Sequence, residues 1–138
     1  MIKKITFIAF TALFSFVTNA QEKACTKFKE GTFKVTDPTS QKLCYITRKG
    51  NVQTEKMENS EEVFDFDIVW IDDCTYTVSP TAATMARNKD ISKAGTMTVM
   101  ITKAKDSTYV QRIKVANSPK FRREDKVYLV KSKEEKND

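Results

Sequence analysis

Short segments of alternating apolar and polar residues, separated by turn signals, constrain this chain most strongly. Alternation with a period of two places successive side chains on opposite faces of a β-strand. Asp37-Pro38, Gly50-Asn51 and Asp72-Asp73 are typical turn sequences. The segments that read as strands are residues 32–36, 42–48, 52–57, 62–71, 74–78, 96–103, 108–115 and 126–131.

Eight strands joined in sequence order predict an all-β fold, an antiparallel meander. Such a sheet removes its exposed edges by closing, or nearly closing, into an up-and-down barrel. We therefore expect a barrel-like domain, lipocalin-like or a half-barrel, over residues 21–131. Residues 132–138 form a charged tail that we expect to be flexible.

The fourth and fifth strands allow the register to be predicted. The apolar side chains of the fourth strand share one face, so a three-residue loop of Ile71, Asp72 and Asp73 keeps them beside those of the fifth. This loop places Asp73 near the left-handed region. It pairs Trp70 with Cys74 and Ile68 with Tyr76, and the same argument pairs Ile101 with Tyr109 and Val99 with Gln111.

One segment around residues 80–90 departs from the strand pattern. Ser79 followed by Pro80 is typical of a helix start, with serine as the cap and proline at the first helical position. Ala82, Met85 and Ala86 follow at helical spacing. We expect a short helix before Gly95 that lies across the sheet or over one end of the barrel.

The first twenty residues predict export. Lys3 and Lys4 precede an apolar run over residues 5–17, and Ala20 offers a small residue at the cleavage site. This pattern is typical of a secretory signal peptide, and the run is shorter than a membrane span requires. We expect a periplasmic or secreted protein with no membrane span in the mature chain. Its net charge falls from +6 to +4, because the signal removes two lysines and no acidic residue.

Composition argues against catalysis. The chain has no histidine, which removes the commonest general base at neutral pH and a frequent zinc ligand. Its three glycines are far apart, so no phosphate-binding glycine loop can form. Asp65 and Asp67, with Asp72 and Asp73, read as a solvated face and a turn. We expect no enzyme, no cofactor and no metal site.

Three cysteines, Cys25, Cys44 and Cys74, enter an oxidising compartment after export. One disulfide and one free thiol are then expected, and the residues alone allow three pairings. A metal site is disfavoured because no histidine and no C-x-x-C motif accompanies the thiols.

The second hairpin carries the candidate binding residues. A two-residue turn places Cys44, Ile46, Arg48, Gln53, Glu55 and Met57 on one face. If this face points inward, the polar groups must bond one another or a ligand. A polar site inside a small barrel would then contain Arg48, Gln53 and Glu55, with Trp70 and Tyr76 as apolar walls. The alternatives are a salt bridge at the rim, or an outward face with Leu43 and Tyr45 inside instead. Trp70 and Tyr76 taken alone are most simply core residues.

Nucleic-acid binding has one local indication, the stretch from Lys120 to Arg123 with Phe121 between basic residues. No DNA- or RNA-binding module is recognisable, and export argues against such a partner. We read this stretch as a solvated basic turn.

Several motifs resemble a family of small exported proteins from Bacteroidetes. They are C-T-K-F-K-E-G-T-F at residues 25–33, I-T-R at 46–48, Q-T-E at 53–55 and V-W-I-D-D-C-T-Y at 69–76. Some members of this family carry the name "DNA topoisomerase", which a chain this small, exported from the cytoplasm, does not support. The resemblance implies a disulfide between Cys25 and Cys74, with Cys44 free. It also implies a shared role for Arg48, Gln53 and Glu55.

Together these features predict a non-catalytic binding module for a small or extended ligand in the cell envelope. The ligand would be a small molecule or a peptide, or the partner an envelope protein. The alternative is a structural or protein-interaction domain with a filled core and no small ligand. An unfilled cavity reaching Arg48 would favour the first, and an exposed apolar patch the second.

Overall fold

The computed structural model describes residues 24–130. The predicted signal peptide at residues 1–20 and the predicted tail at 132–138 lie outside the described residues. Among the described residues, none of the helices has the length and apolar character needed to cross a bilayer.

Eight antiparallel strands close into a barrel, each strand pairing with its neighbours in sequence and β1 pairing with β8. The predicted all-β meander is confirmed. The strands are β1 (Gly31–Thr36), β2 (Leu43–Lys49), β3 (Val52–Met57), β4 (Val63–Trp70), β5 (Thr75–Pro80), β6 (Met97–Ala104), β7 (Thr108–Val115) and β8 (Ser118–Leu129).

The period-two pattern fills the barrel interior. One group of buried side chains surrounds Phe28 and Phe33, and a second surrounds Phe66 and Val78. Burial of each large apolar side chain contributes about 1.5–3 kcal/mol to folding. Phe66, Ile68 and Tyr76 are buried together and Trp70 packs against them half-buried, as the alternation predicts.

The predicted pairing of β4 with β5 is wrong by two residues. Trp70 pairs with Tyr76 and Ile68 with Val78, which leaves every side chain on its predicted face. Cys74 belongs to the loop, because its N–H donates to Asp72 Oδ1 at 2.9 Å and its sulfur is bonded to Cys25. Asp73 does not adopt the predicted left-handed conformation.

The predicted pairing of β6 with β7 is also displaced. Ile101 pairs with Gln111 and Val99 with Ile113, while Tyr109 pairs with Ala104. A bulge between Ile101 and Lys103 adds one residue to β6, so alternation alone does not determine this register.

Two further predictions need correction. The helix, here α1, spans Ala82–Arg87, and Thr81 rather than Ser79 caps it, because Pro80 still pairs with Phe66 in the sheet. A 3₁₀ helix, Lys89–Ala94, follows. The basic stretch from Lys120 to Arg123 is part of β8 rather than a turn, since β8 starts at Ser118.

The N-terminal segment, residues 24–30, closes one end of the barrel, which we call the Phe28 end. Phe28 is fully buried, and Lys29 Nζ lies 2.8 Å from Asp73 Oδ1 in the β4–β5 loop. Gly31 then starts β1 with a φ of +131°, a conformation that favours glycine. The opposite end, which we call the Met57 end, has half-buried rim residues: Glu55, Met57, Phe64, Met97 and Ile113.

A disulfide joins Cys25 to Cys74 and leaves Cys44 as a buried free thiol. The pairing implied by the family resemblance is therefore confirmed. The bond ties the N-terminal segment to the β4–β5 loop and spans 49 residues of sequence.

Replacing Cys25 and Cys74 with serine should lower the free energy of unfolding by about 4 kcal/mol. A closed loop of this length removes that much conformational freedom from the unfolded chain. Urea unfolding of oxidised wild type and the double variant measures the loss. Cys44→Ala is the control, which lacks a thiol but keeps the disulfide. Equal loss of stability in the variant and the control would contradict this account.

Candidate functional site

Arg48 is the largest polar side chain buried in the barrel, with 1% of its surface exposed. It is the sixth residue of β2, and the tight Gly50-Asn51 turn sets it directly opposite Gln53 of β3. Both residues occupy inward positions of the alternation, so the turn itself brings the two side chains together.

The Arg48 guanidinium uses four of its five N–H donors on three strands and the N-terminal segment. Nε donates to Gln53 Oε1 at 2.8 Å, and Nη1 donates to the Phe28 carbonyl at 2.9 Å. Nη2 donates to the hydroxyls of Tyr76 at 2.5 Å and Tyr109 at 2.8 Å. Arg48 therefore connects β3, β5 and β7 with the segment that closes the Phe28 end.

Aromatic rings surround the same cation. Cζ of Arg48 lies 4.7 Å from the ring centre of Phe33, 4.8 Å from that of Tyr76 and 5.7 Å from that of Tyr109. A desolvated cation over aromatic faces gains about 2 kcal/mol. These contacts offset part of the cost of removing the charge from water.

Electrostatics keep Arg48 charged and the two phenols neutral. Burial lowers the pKa of Arg48, but Tyr76, Tyr109 and Glu55 outweigh this effect and leave it above its ordinary value. Burial raises the pKa of Tyr76 and of Tyr109, although Arg48 opposes the rise in both. The phenols therefore act as neutral hydroxyls toward the guanidinium.

Gln53 relays the bonding from Arg48 to Glu55, because its Nε2 donates to Glu55 Oε1 at 2.9 Å. Burial raises the pKa of Glu55, while the Gln53 hydrogen bond, Arg48 and Arg123 oppose the rise. Glu55 is half-buried and lies further toward the Met57 end than Gln53. It is the first carboxyl group along this path that keeps some contact with solvent.

A second polar group extends across the interior from β7 and β8. Gln111 Nε2 donates to Asp125 Oδ2 at 3.3 Å, and Arg123 Nε lies 2.8 Å from the same oxygen. Arg123 Nη1 lies 3.9 Å from Asp37 Oδ1 beyond the end of β1. The positive charge of Arg123 opposes the rise in the pKa of Glu55 and of Cys44.

Gln111 has an acceptor that the protein leaves unsatisfied. Its side chain is 5% exposed, and Oε1 is the one buried side-chain polar atom among the described residues that has no hydrogen-bond partner. An unpaired buried polar atom costs about 1–3 kcal/mol, so natural proteins seldom keep one. The acceptor lies in the interior, between Tyr109 and Ile113 along β7.

Cys44 faces the same interior but is unsuited to nucleophilic chemistry. Burial, with the negative charge of Glu55, raises the pKa of the Cys44 thiol to about 12. The reactive thiolate is therefore scarce at neutral pH.

Four of the five predicted site residues meet in one connected group: Arg48, Gln53, Glu55 and Tyr76. Trp70 packs beside it, with its ring centre 4.6 Å from that of Tyr76 and Lys29 Nζ 5.2 Å above its own ring. The sequence did not single out Phe28, Tyr109 or Gln111 as site residues. Tyr109 and Gln111 carried one usable signal, since both stand at inward positions of β7.

The acidic residues that the sequence analysis interprets as a solvated face do not join this polar group. Asp65 alternates out of the interior, and its Oδ1 accepts a hydrogen bond from Thr54 Oγ1 at 2.7 Å. Within residues 24–130, no group of three or more histidine, cysteine or acidic side chains is arranged to hold a metal ion.

Comparison with known proteins finds no family model that matches the chain, no similar curated protein and no similar solved structure. The resemblance to the Bacteroidetes family therefore remains a prediction, and any function must be argued from the geometry of the barrel.

Arg48→Met should lower the free energy of unfolding by about 1–3 kcal/mol. Methionine has a similar volume, but it leaves the Phe28 carbonyl, the two tyrosine hydroxyls and the Gln53 side-chain oxygen without their hydrogen-bond donor. Urea titration measures the change. Lys49→Met, at the exposed neighbouring position of β2, is the control and should stay near wild type. Equal stability of the two variants would mean that Arg48 is not bonded as described.

Proposed function

We propose that this protein is an exported, non-catalytic binding module whose barrel interior takes a small ligand from the Met57 end. The Arg48 group provides a rigid base, and Glu55 and Gln111 are the residues that meet the ligand. Export is the part of this proposal that rests on the sequence, through the signal at residues 1–20. The disulfide is compatible with an oxidising compartment.

The distribution of polar groups supports an interior site. A barrel that only had to be stable would fill its interior with apolar side chains. This one buries Arg48, Gln53, Gln111 and Asp125 in addition to its apolar clusters. Buried polar groups that cost stability are expected where they serve binding.

The observation that carries the proposal is the unpaired Oε1 of Gln111. The other end of the same amide is held by Asp125, which fixes the direction of the oxygen. A fixed, desolvated acceptor is preorganised for a donor that arrives with a ligand. Glu55 supplies a second acceptor across the barrel, half-buried and with a raised pKa.

The ligand class follows from these acceptors. A compound with N–H or O–H donors would meet Gln111 Oε1 and Glu55, and an apolar portion would contact the rim side chains. The half-buried apolar residues there include Met57, Phe64, Met97 and Ile113, and Ile91 of the 3₁₀ helix packs against the same buried cluster as the last three. Small amides and amines with a short hydrocarbon part have this combination.

The second candidate function, a protein-interaction domain without a small ligand, has one specific observation in its favour. Val69 of β4, Ile71 in the loop that follows it and Met100 of β6 are exposed by 61%, 63% and 45%. These apolar side chains point away from the interior, and large exposed apolar patches mark contact surfaces. Under this alternative, the interior would bind nothing and its polar groups would only fix the fold.

Gln111→Met separates the two functions. If Oε1 is kept for a ligand, the free energy of unfolding of the unliganded protein should stay unchanged or rise by up to about 2 kcal/mol. Losing the unpaired oxygen gains about 1–3 kcal/mol, and losing the bond to Asp125 offsets about 1 kcal/mol. Gln53→Met is the matched control, because both ends of that amide are bonded, and it should lose about 1–3 kcal/mol.

Ligand binding is tested by adding straight-chain alkyl amides and alkylamines and measuring the shift in the melting temperature of the protein. Wild type should be stabilised by at least one series, and Gln111→Met and Glu55→Gln should lose that shift. A loss of stability in Gln111→Met as large as in Gln53→Met would contradict the proposal. So would the absence of any shift in wild type.

A further inference from the structure

The start of β8 bulges away from β7. Ile113 pairs with Arg123 and Val115 with Ser118, so four β8 residues, 119–122, stand opposite the single β7 residue Lys114. A bulge of this size changes the direction in which its side chains point. It presents Phe121, which is 43% exposed, together with Lys120 and Arg122 on the outside of the barrel.

Arg122 holds the bulge in shape. Its Nη1 donates to the carbonyls of Pro119 at 2.7 Å and Phe121 at 2.8 Å. Both bonds use the same nitrogen, so Nε and Nη2 of the guanidinium are not occupied by them. The bonding fixes where the remaining donors of Arg122 lie.

A cavity of about 340 Å³ lies between this bulge and the outer faces of β6 and β7. Lys114 and Arg122 line it with two positive charges, and Thr96 and Thr98 line it with hydroxyl groups. Thr98 pairs with Lys114 in the sheet, so the two side chains start from neighbouring positions on the same outer face. Thr96 Oγ1 lies 2.9 Å from Ser79 Oγ, which orients that hydroxyl.

Neither cation of this cavity forms an ion pair with an acidic side chain of residues 24–130. Among the described residues, no carboxylate lies within 4.0 Å of Lys114 Nζ or of the Arg122 guanidinium. Their neighbour Arg112 differs, because Glu124 pairs with it at 3.0 Å. Glu124 also lines a neighbouring cavity with Lys114 and Arg122, but its carboxylate is paired with Arg112.

We propose that this cavity is an anion site that binds a phosphate group or another tetrahedral oxyanion. Arg122 and Lys114 would hold the charge, and the threonine hydroxyls would donate to the remaining oxygens. The exposed ring of Phe121 stands at the bulge, where it can contact the apolar part of a phosphorylated ligand. The site is separate from the barrel interior, so neither site requires the other.

The phosphate group has two sources, a free phosphorylated compound or the headgroup of an anionic lipid. Binding of inorganic phosphate, followed by NMR shifts of the β6, β7 and β8 amides, tests the free group. Sedimentation with vesicles of phosphatidylglycerol and phosphatidylcholine, against phosphatidylcholine alone, tests the lipid surface. If the protein binds phosphate but not vesicles, the natural ligand is a soluble phosphorylated compound. If it binds the anionic vesicles and Phe121→Ser abolishes that binding, the ligand is the lipid headgroup.

The matched variants distinguish a site from general positive charge. Lys114→Gln/Arg122→Gln should weaken binding by about tenfold or more, because the charge-assisted bonds to the anion are lost. Lys49→Gln/Lys56→Gln removes the same charge from exposed positions on β2 and β3 and should leave binding within about twofold of wild type.

The single variant Lys114→Gln keeps the hydrogen bonds from Arg122 to the bulge, so it controls for a loss of structure in the double variant. It should also weaken binding severalfold. The proposal is overturned if neither phosphate nor vesicles bind wild type. It is also overturned if both double variants weaken binding equally.

Discussion

A charged guanidinium held away from water is the constraint on which the rest of this barrel depends. Removing such a charge from water costs several kcal/mol, and the fold must supply acceptors for its donors on every side. Arg48 finds them in the Phe28 carbonyl, the Gln53 amide and two tyrosine hydroxyls. Strands far apart in sequence are therefore held in one arrangement, and the N-terminal segment cannot leave without stranding the charge. The disulfide secures the same segment covalently.

This arrangement divides the molecule into two ends with different physical roles. At the Phe28 end, bonding is nearly complete and the side chains are buried, which favours rigidity. Toward the Met57 end, Glu55 is half-buried and Gln111 keeps an unpaired acceptor. A rigid base below an incompletely bonded region is the geometry that a preorganised binding site requires. The outer wall adds an independent feature, because the cavity beside the β8 bulge holds two cations that no acidic side chain of the described part of the chain pairs with.

Most of the fold and half of the polar interior could be predicted from local pattern. Alternation determined which side chains face inward, so Arg48, Gln53 and Glu55 were predicted to share a face, and Phe66, Ile68, Trp70 and Tyr76 to pack together. The pairing register could not be predicted in the same way, because a slip of two residues leaves every side chain on the same face. The loop that contains Cys74 displaced the register of β4 with β5, and the bulge in β6 displaced that of β6 with β7. Phe28 and Tyr109 were missed since the closure of the barrel, which is non-local, brings them to Arg48. Gln111 was missed because the predicted last strand began at residue 126, which left its partner Asp125 outside a strand. The length of β8 was missed because Pro119 and a basic stretch resemble a turn.

The central claim, that Arg48 is a buried cation with four of its five N–H donors bonded, is tested most directly by nitrogen-15 NMR of the arginine side chains. A guanidinium bonded on several sides and covered by aromatic rings should show slow exchange of its N–H protons with solvent and restricted rotation about its C–N bonds. We expect one arginine with these properties in wild type, assigned to Arg48 by its disappearance in Arg48→Lys. If every arginine side chain exchanged rapidly with solvent and rotated freely, Arg48 would be hydrated, and it could not be the buried cation that holds the strands and the N-terminal segment together.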